Sequence, residues 1–107
     1  MPYIVSTAIY PSERENEARE VFLEMMKTNP PRMDLSEVII PMASQRSLEG
    51  IKIMAVSKVK PGKLEEALAY VSKRVHPYSK IPEFEYSIQI WSTLEEAFAV
   101  AGVPMPG

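Results

Sequence analysis

His76 is the side chain in this sequence best suited to carry a proton, because imidazole titrates near neutral pH. It is the single histidine of the chain and directly precedes Pro77. We therefore take His76 as the candidate catalytic acid or base. The alternative is structural, since Lys73, Arg74 and His76 fall in the predicted last turn of a helix, where cations interact favourably with the helix dipole. One histidine without cysteines is a poor ligand set for a transition metal, and we predict no metal site.

Aromatic and sulfur-containing side chains are the candidates for lining a ligand pocket. Tyr and Trp combine an apolar ring with a polar atom, and Met adapts its shape to a ligand. We select Tyr10, Met54 and Trp91 as ligand-binding candidates, although such residues also serve in cores and dimer interfaces. Binding of a small molecule requires a pocket of about 300 Å³ or more, whereas a purely structural protein should have a filled interior. The sequence contains no glycine-rich phosphate loop, so no cofactor is predicted.

The charged residues do not indicate an acid–base pair. Glu65 and Glu66 are adjacent on a predicted helix and therefore project in different directions. Lys52 and Lys58 share one face of a predicted strand, where they either hold an anionic ligand or lie in solvent at the rim. These residues leave the question of enzymatic activity open.

The composition is typical of one globular domain spanning residues 1–107. Apolar residues make up 46% of the chain and charged residues 24%. The formal net charge of -2 argues against nucleic-acid binding, which requires a basic surface. No apolar run approaches the roughly 20 residues of a membrane-spanning helix. The absence of cysteine fits a reducing compartment, and we predict a cytoplasmic protein without nucleic-acid or membrane partners.

Hydrophobic periodicity and turn residues predict four strands and three helices. The strands are predicted over Tyr3–Tyr10, Glu37–Arg46, Ile51–Val59 and Glu83–Trp91. Helices follow the first and third strands, and a short helix over Leu94–Ala101 follows the fourth. Ser12 with Glu15, and Thr93 with Glu96, match the pattern of a capping box. Pro41 lacks an N–H group, which predicts that the second strand lies at an edge of the sheet.

This order predicts an α+β, ferredoxin-like βαββαβ fold with a C-terminal helix. Right-handed crossovers place both crossover helices on one face of a four-stranded antiparallel sheet with strand order 4-1-3-2. The strands carry apolar residues on both faces, among them Ile4, Ala8, Ile39, Ala43, Met54, Val56 and Trp91, mixed with Lys52, Lys58, Glu85 and Gln89. A wholly solvated face would be more polar, so we predict that a second copy covers it in a homodimer or higher homo-oligomer.

The segment from Val59 to Leu68, VKPGKLEEAL, follows a strand and opens a helix. In this respect the chain resembles the dimeric α+β barrel superfamily, which includes antibiotic-biosynthesis-type monooxygenases, muconolactone-isomerase-like enzymes and chlorite-dismutase-like haem proteins. The resemblance implies two sheets packed face to face, with a cavity between sheet and helices. Monooxygenases of this group tend to use Asn, Trp and His, but Asn16 and Asn29 both fall outside the predicted strands.

The leading hypothesis is a small homo-oligomeric protein that binds a small, mostly apolar molecule or serves as an assembly module. One alternative is a cofactor-independent monooxygenase or isomerase with His76 as the proton carrier. Another is a structural subunit that contacts a different protein through its sheet face. An RNA-recognition domain is excluded, because the third strand, Ile51–Val59, has no aromatic residue on which bases could stack.

Overall fold

The computed structural model describes residues 1–106, in which the order of elements follows the prediction. The strands are β1 (Tyr3–Tyr10), β2 (Ser36–Ser47), β3 (Gly50–Val59) and β4 (Glu85–Trp91). The α-helices are α1 (Glu15–Thr28), α2 (Leu64–Val75) and α3 (Leu94–Ala101). Short 3₁₀ segments precede α1 at Ser12–Arg14 and follow α2 at His76–Lys80. This is an α+β architecture compatible with the ferredoxin-like fold.

The four strands form one open antiparallel sheet in the order β2-β3-β1-β4, which is the predicted order read from the other edge. The edge position of β2 is confirmed. Its pairing with β3 is irregular just before Pro41, between Val38 and Ile40, and again across Pro41, between Ile40 and Ala43. An edge strand tolerates such bulges because its outer side has no ladder of hydrogen bonds to lose.

The core lies between one face of this sheet and the helices α1 and α2. The strand residues with apolar side chains divide between the two faces: Ile4 and Ala8 point toward the helices, whereas Met54 and Val56 belong to the opposite face. One buried cluster contains Tyr10, Ala18, Val21, Met25, Ile51, Tyr78 and Ile81. A second cluster, at the other end of the sheet, contains Ile4, Leu35, Val59 and Ala67.

The predicted capping box at Ser12 is wrong. Ser12 belongs to the 3₁₀ segment, α1 begins at Glu15, and no side chain caps either element. The Glu15 carboxylate instead accepts hydrogen bonds from Arg46 of β2 and, at 3.2 Å, from Arg19. An ion pair made in the folded chain has therefore replaced the local cap, and it holds the pKa of Glu15 below its usual value.

The capping box at Thr93 is confirmed, and Glu96 also accepts a hydrogen bond from the Met1 ammonium at 3.0 Å through its other carboxylate oxygen. The Thr93 hydroxyl accepts from the Glu96 N–H at 3.2 Å, and the Glu96 carboxylate accepts from the Thr93 N–H at 2.8 Å. Gly102 ends α3 with a φ of 71°. No residue of α3 is buried, and Val100 is 91% exposed.

Two backbone features shape the ends of β3 and β4. Gly50 has a φ of 131°, and a Cβ atom there would lie 2.4 Å from the backbone oxygen of Tyr10, so only glycine fits. The fourth strand begins at Glu85 rather than at the predicted Glu83, because Glu83 adopts a φ of 63° and turns the chain. That turn brings Phe84 into the core beside Tyr10.

Candidate functional site

A partly open cavity of about 180 Å³ lies between the centre of the sheet, the edge strand β2 and the two covering helices. Its floor has four small residues on the helix-facing side of the two central strands, Ser6, Ala8, Ala55 and Ser57, together with the larger Ile53, which pairs with Ala8. Larger buried side chains stand at both ends of these strands: Ile4, Tyr10, Ile51 and Val59. The four small residues are only half-buried, so the space above them is not filled by side chains of the two helices.

The walls of the cavity are mainly apolar and come from both helices and from Val38, Ile40, Pro41 and Met42 of β2. Helix α1 contributes Phe22, Met25 and Met26, and α2 contributes Val71, Arg74 and Val75. Tyr78 and Phe84 line it as well, and their rings stack with centroids 4.9 Å apart. Polar atoms at this site therefore belong to a few residues, of which Arg74 is the one with a permanent charge.

Tyr78 is 4% exposed, and burial raises its pKa to about 12. Tyr10 stacks on the other side of Phe84 at 5.6 Å, and burial raises its pKa as well, with a smaller contribution from Glu15. Both phenols are therefore neutral at physiological pH. Each can donate one hydrogen bond, but neither is a base of useful strength.

The buried state of Tyr78 predicts a loss of stability in alkaline solution. The unfolded chain releases the phenolic proton near the ordinary pKa of 10.0, whereas the folded chain retains it until about 12. The contribution of the Tyr78 phenol to the free energy of unfolding is thus fully present below pH 10. It is lost as the pH rises toward 12, which lowers the free energy of unfolding by about 2 to 3 kcal/mol. Urea denaturation at a series of pH values measures this loss.

The Tyr78→Phe variant should show a flatter profile between about pH 10 and pH 12, because the titrating group is gone. Tyr86→Phe is the matched control, since it removes the hydroxyl of an exposed tyrosine on β4. An alkaline loss that is equal in Tyr78→Phe and in the wild type would contradict the assignment.

Arg74 lies at the edge of the cavity, where α2 faces the end of α1. Its Nε donates to the backbone oxygen of Asn29 at 2.9 Å, and Nη2 lies 3.5 Å from the sulfur of Met26. Burial lowers the pKa of Arg74, with weaker opposing effects from Tyr70 and Tyr78. The guanidinium remains charged nonetheless, because its ordinary pKa is far above neutral.

The residues selected from the sequence do not form one site. Tyr10 is buried in the aromatic cluster beside the cavity, and Met54 lies on the sheet at the boundary of the cavity and of a groove on the outer face. Trp91 is 56% exposed, at the opposite end of β1 from Tyr10. His76 is exposed and does not line the cavity, so its catalytic role stays a prediction.

Sequence reasoning missed the residues that build the cavity. The pairs Ser6-x-Ala8 and Ala55-x-Ser57 are small side chains at alternate positions of central strands, and this pattern was a usable signal. Arg74 was considered only as a cation near the end of its own helix. Its position at the cavity depends on the packing of α2 against α1.

The sheet face opposite the helices, here called the outer face, is apolar in the middle and charged at its margins. Val5 pairs with Val56 at its centre, and both are half-buried within the single chain. Further apolar members are Tyr3, Ile9, Ala43 and Met54. Charged side chains follow at the margins, at Glu37, Lys52, Lys58 and Glu85. The face also has an open groove of about 550 Å³.

Comparison with known proteins gives no assignment. No protein-family model matches the sequence, and no curated protein matches it. Within residues 1–106, no three His, Asp or Glu side chains lie together as metal ligands. None of the helices in the same part of the chain has the length and hydrophobicity needed to cross a membrane.

Proposed function

We propose that this protein binds a small, mostly apolar molecule in the cavity between its helices and its sheet. The observation that carries the proposal is the unfilled space above Ser6, Ala8, Ala55 and Ser57. The four residues are only half-buried in the single chain, so the apolar walls around them are in contact with water when no ligand is present. A ligand that covers these walls would remove their apolar surface from water, which is favourable.

The size of the cavity limits the ligand. Its volume of about 180 Å³ is below the about 300 Å³ expected for a drug-sized molecule. An apolar cavity of about 150 Å³ is known to accept benzene. The ligand class is therefore a compact molecule with one or two rings, or a branched chain of similar size. The monooxygenase or isomerase alternative lacks support from His76, which lies outside the cavity.

We further propose that two copies associate through their outer faces, as the resemblance to dimeric α+β barrels implies. An apolar centre surrounded by charged residues is the usual anatomy of a protein interface. The margins carry both signs, with Lys52 and Lys58 on β3 and Glu37 and Glu85 on the edge strands. A two-fold axis can thus set the lysines of one chain against the glutamates of the other.

The binding proposal is tested with 2-naphthamide, a neutral compound of two fused rings. Calorimetric titration should show one molecule bound per chain, with a Kd between about 10 μM and 1 mM for a ligand of this size. Methyl NMR signals of Met25 and Val71, which line the cavity, should shift on binding. Signals of Leu94 and Val100 on α3 should not.

Two results would contradict the binding proposal. One is a titration without saturation, which indicates general adhesion to apolar surface. The other is a set of shifts confined to Val5 and Ile9, which would place the compound on the outer face instead of in the cavity. In that case the outer face would be better explained as the contact surface for a different protein.

A further inference from the structure

We infer that the ligand of this cavity is an anion, a small carboxylate with an apolar body, and that the guanidinium of Arg74 binds its charged group. This inference rests on the proposed function, because it names the chemical class of ligand for the same cavity. It is drawn from the contacts that Arg74 makes and from those it lacks.

Arg74 differs from the other arginines in having no carboxylate partner. Four arginines form ion pairs with Asp or Glu at N–O distances of 3.2 Å or less: Arg14, Arg19, Arg32 and Arg46. Within residues 1–106, no carboxylate lies within ion-pairing distance of Arg74. Those four also have exposed or partly exposed side chains at the surface, whereas Arg74 borders an apolar cavity.

The guanidinium is held in place by the chain even though its charge is not balanced. A guanidinium has five N–H donors. The Nε donor of Arg74 is used by the Asn29 backbone oxygen, and Nη2 contacts the Met26 sulfur. One turn earlier on α2, the Tyr70 hydroxyl donates to the Pro30 backbone oxygen at 2.6 Å. This second hydrogen bond also joins α2 to the segment that follows α1. The Nη groups are therefore held in position and still have N–H donors that could bind a ligand.

A half-buried cation without a counter-ion is unfavourable, and the direction of the Arg74 pKa reflects the desolvation. A carboxylate would supply the missing charge and accept two parallel hydrogen bonds from the guanidinium. The walls formed by Phe22, Val71 and Val75 would contact the apolar body. A single arginine and a small cavity suit a carboxylate better than a multiply charged phosphate ester.

The structural alternative is that Arg74 only stabilises the end of α1. That helix ends at Thr28, and a cation beside its last carbonyl groups interacts favourably with the helix dipole. Under this alternative, the cavity would bind neutral and anionic compounds equally well. The two explanations therefore differ in ligand preference, which can be measured directly.

The test compares 2-naphthoate with 2-naphthamide, which have the same ring system and differ in charge. Calorimetry at pH 7 on the wild-type chain should give a Kd for naphthoate at least about tenfold lower than for naphthamide. Arg74→Met should remove this preference by weakening naphthoate binding while changing naphthamide binding little. Arg74→Lys should retain part of it, because the positive charge remains.

Arg14→Met is the matched control, since Arg14 already pairs with Glu17 at 2.7 Å and does not line the cavity. It should leave the preference for naphthoate unchanged. Equal affinity of the wild type for both compounds overturns the inference while the proposed function survives. Binding of neither compound overturns both. The wild-type comparison needs no variant, so it decides the matter even if Arg74→Met fails to fold.

Discussion

Ala55→Leu should abolish the binding of 2-naphthamide while the fold remains intact. Ala55 lies on the cavity floor opposite Ser6, and a leucine there projects three more carbon atoms into a space of about 180 Å³. The probe and the new side chain cannot occupy that space together. We expect the Kd to rise at least about 100-fold, at the upper end of what steric exclusion in an apolar pocket produces.

The stability of Ala55→Leu without ligand separates exclusion from misfolding. Each buried CH₂ group contributes about 0.8 kcal/mol, and side-chain strain offsets part of this gain. The free energy of unfolding in urea should therefore stay at the wild-type value or rise by about 1 kcal/mol. A cavity-filling change that stabilised the chain and still allowed the probe to bind would place the ligand elsewhere.

Ala69→Leu provides the matched control for this experiment. Ala69 is exposed on α2 and does not line the cavity. Alanine and leucine are both good helix formers, so the substitution should not disturb α2. This variant introduces the same chemical change at the surface. Its affinity for 2-naphthamide should equal that of the wild type.

Val5→Glu should convert the proposed dimer into a monomer. Val5 lies at the centre of the outer face, beside Val56 and away from the helices. A carboxylate there would be desolvated in the dimer, where the apolar neighbours offer it no partner. We expect the dimer Kd to rise at least about 100-fold. Sedimentation velocity at micromolar concentration measures the change.

The monomer should tolerate this substitution, because the outer face is open to solvent in a single chain. Leu23→Glu is the matched control, since Leu23 is an exposed apolar residue on α1, far from the outer face. It should sediment as the wild type does. A wild-type protein that sediments as a monomer at this concentration would itself refute the proposed dimer.

The order of the elements was predictable because it depends on short-range patterns. Alternation identified the strands, and the proline in β2 predicted an edge position that the pairing confirms. The box at Thr93 was predicted correctly, since all its partners lie within four residues. The box at Ser12 was not, because Arg46 reaches Glu15 from 31 positions away in the chain.

The cavity was not predictable in the same way. The sequence shows that small residues occur at alternate positions of β1 and β3. Such residues leave no open space, however, where a helix side chain packs against them. Here the four small floor residues stay half-buried, because the side chains of α1 and α2 do not cover them. Whether space remains is decided by the packing of two layers.

Hydrophobic period and turn residues thus suffice to predict the strands and helices, because each signal lies within a short stretch of sequence. The order of the sheet follows from that succession of elements through the rule of right-handed crossovers. The candidate site depends on the folded chain. Arg74 faces the cavity without a carboxylate because α2 packs beside the end of α1, and no acidic residue is carried to that place. Whether a charged side chain has a counter-ion, and whether a pocket stays open, depends on how helices and strands pack. These properties are therefore set only when distant parts of the chain come together in the fold.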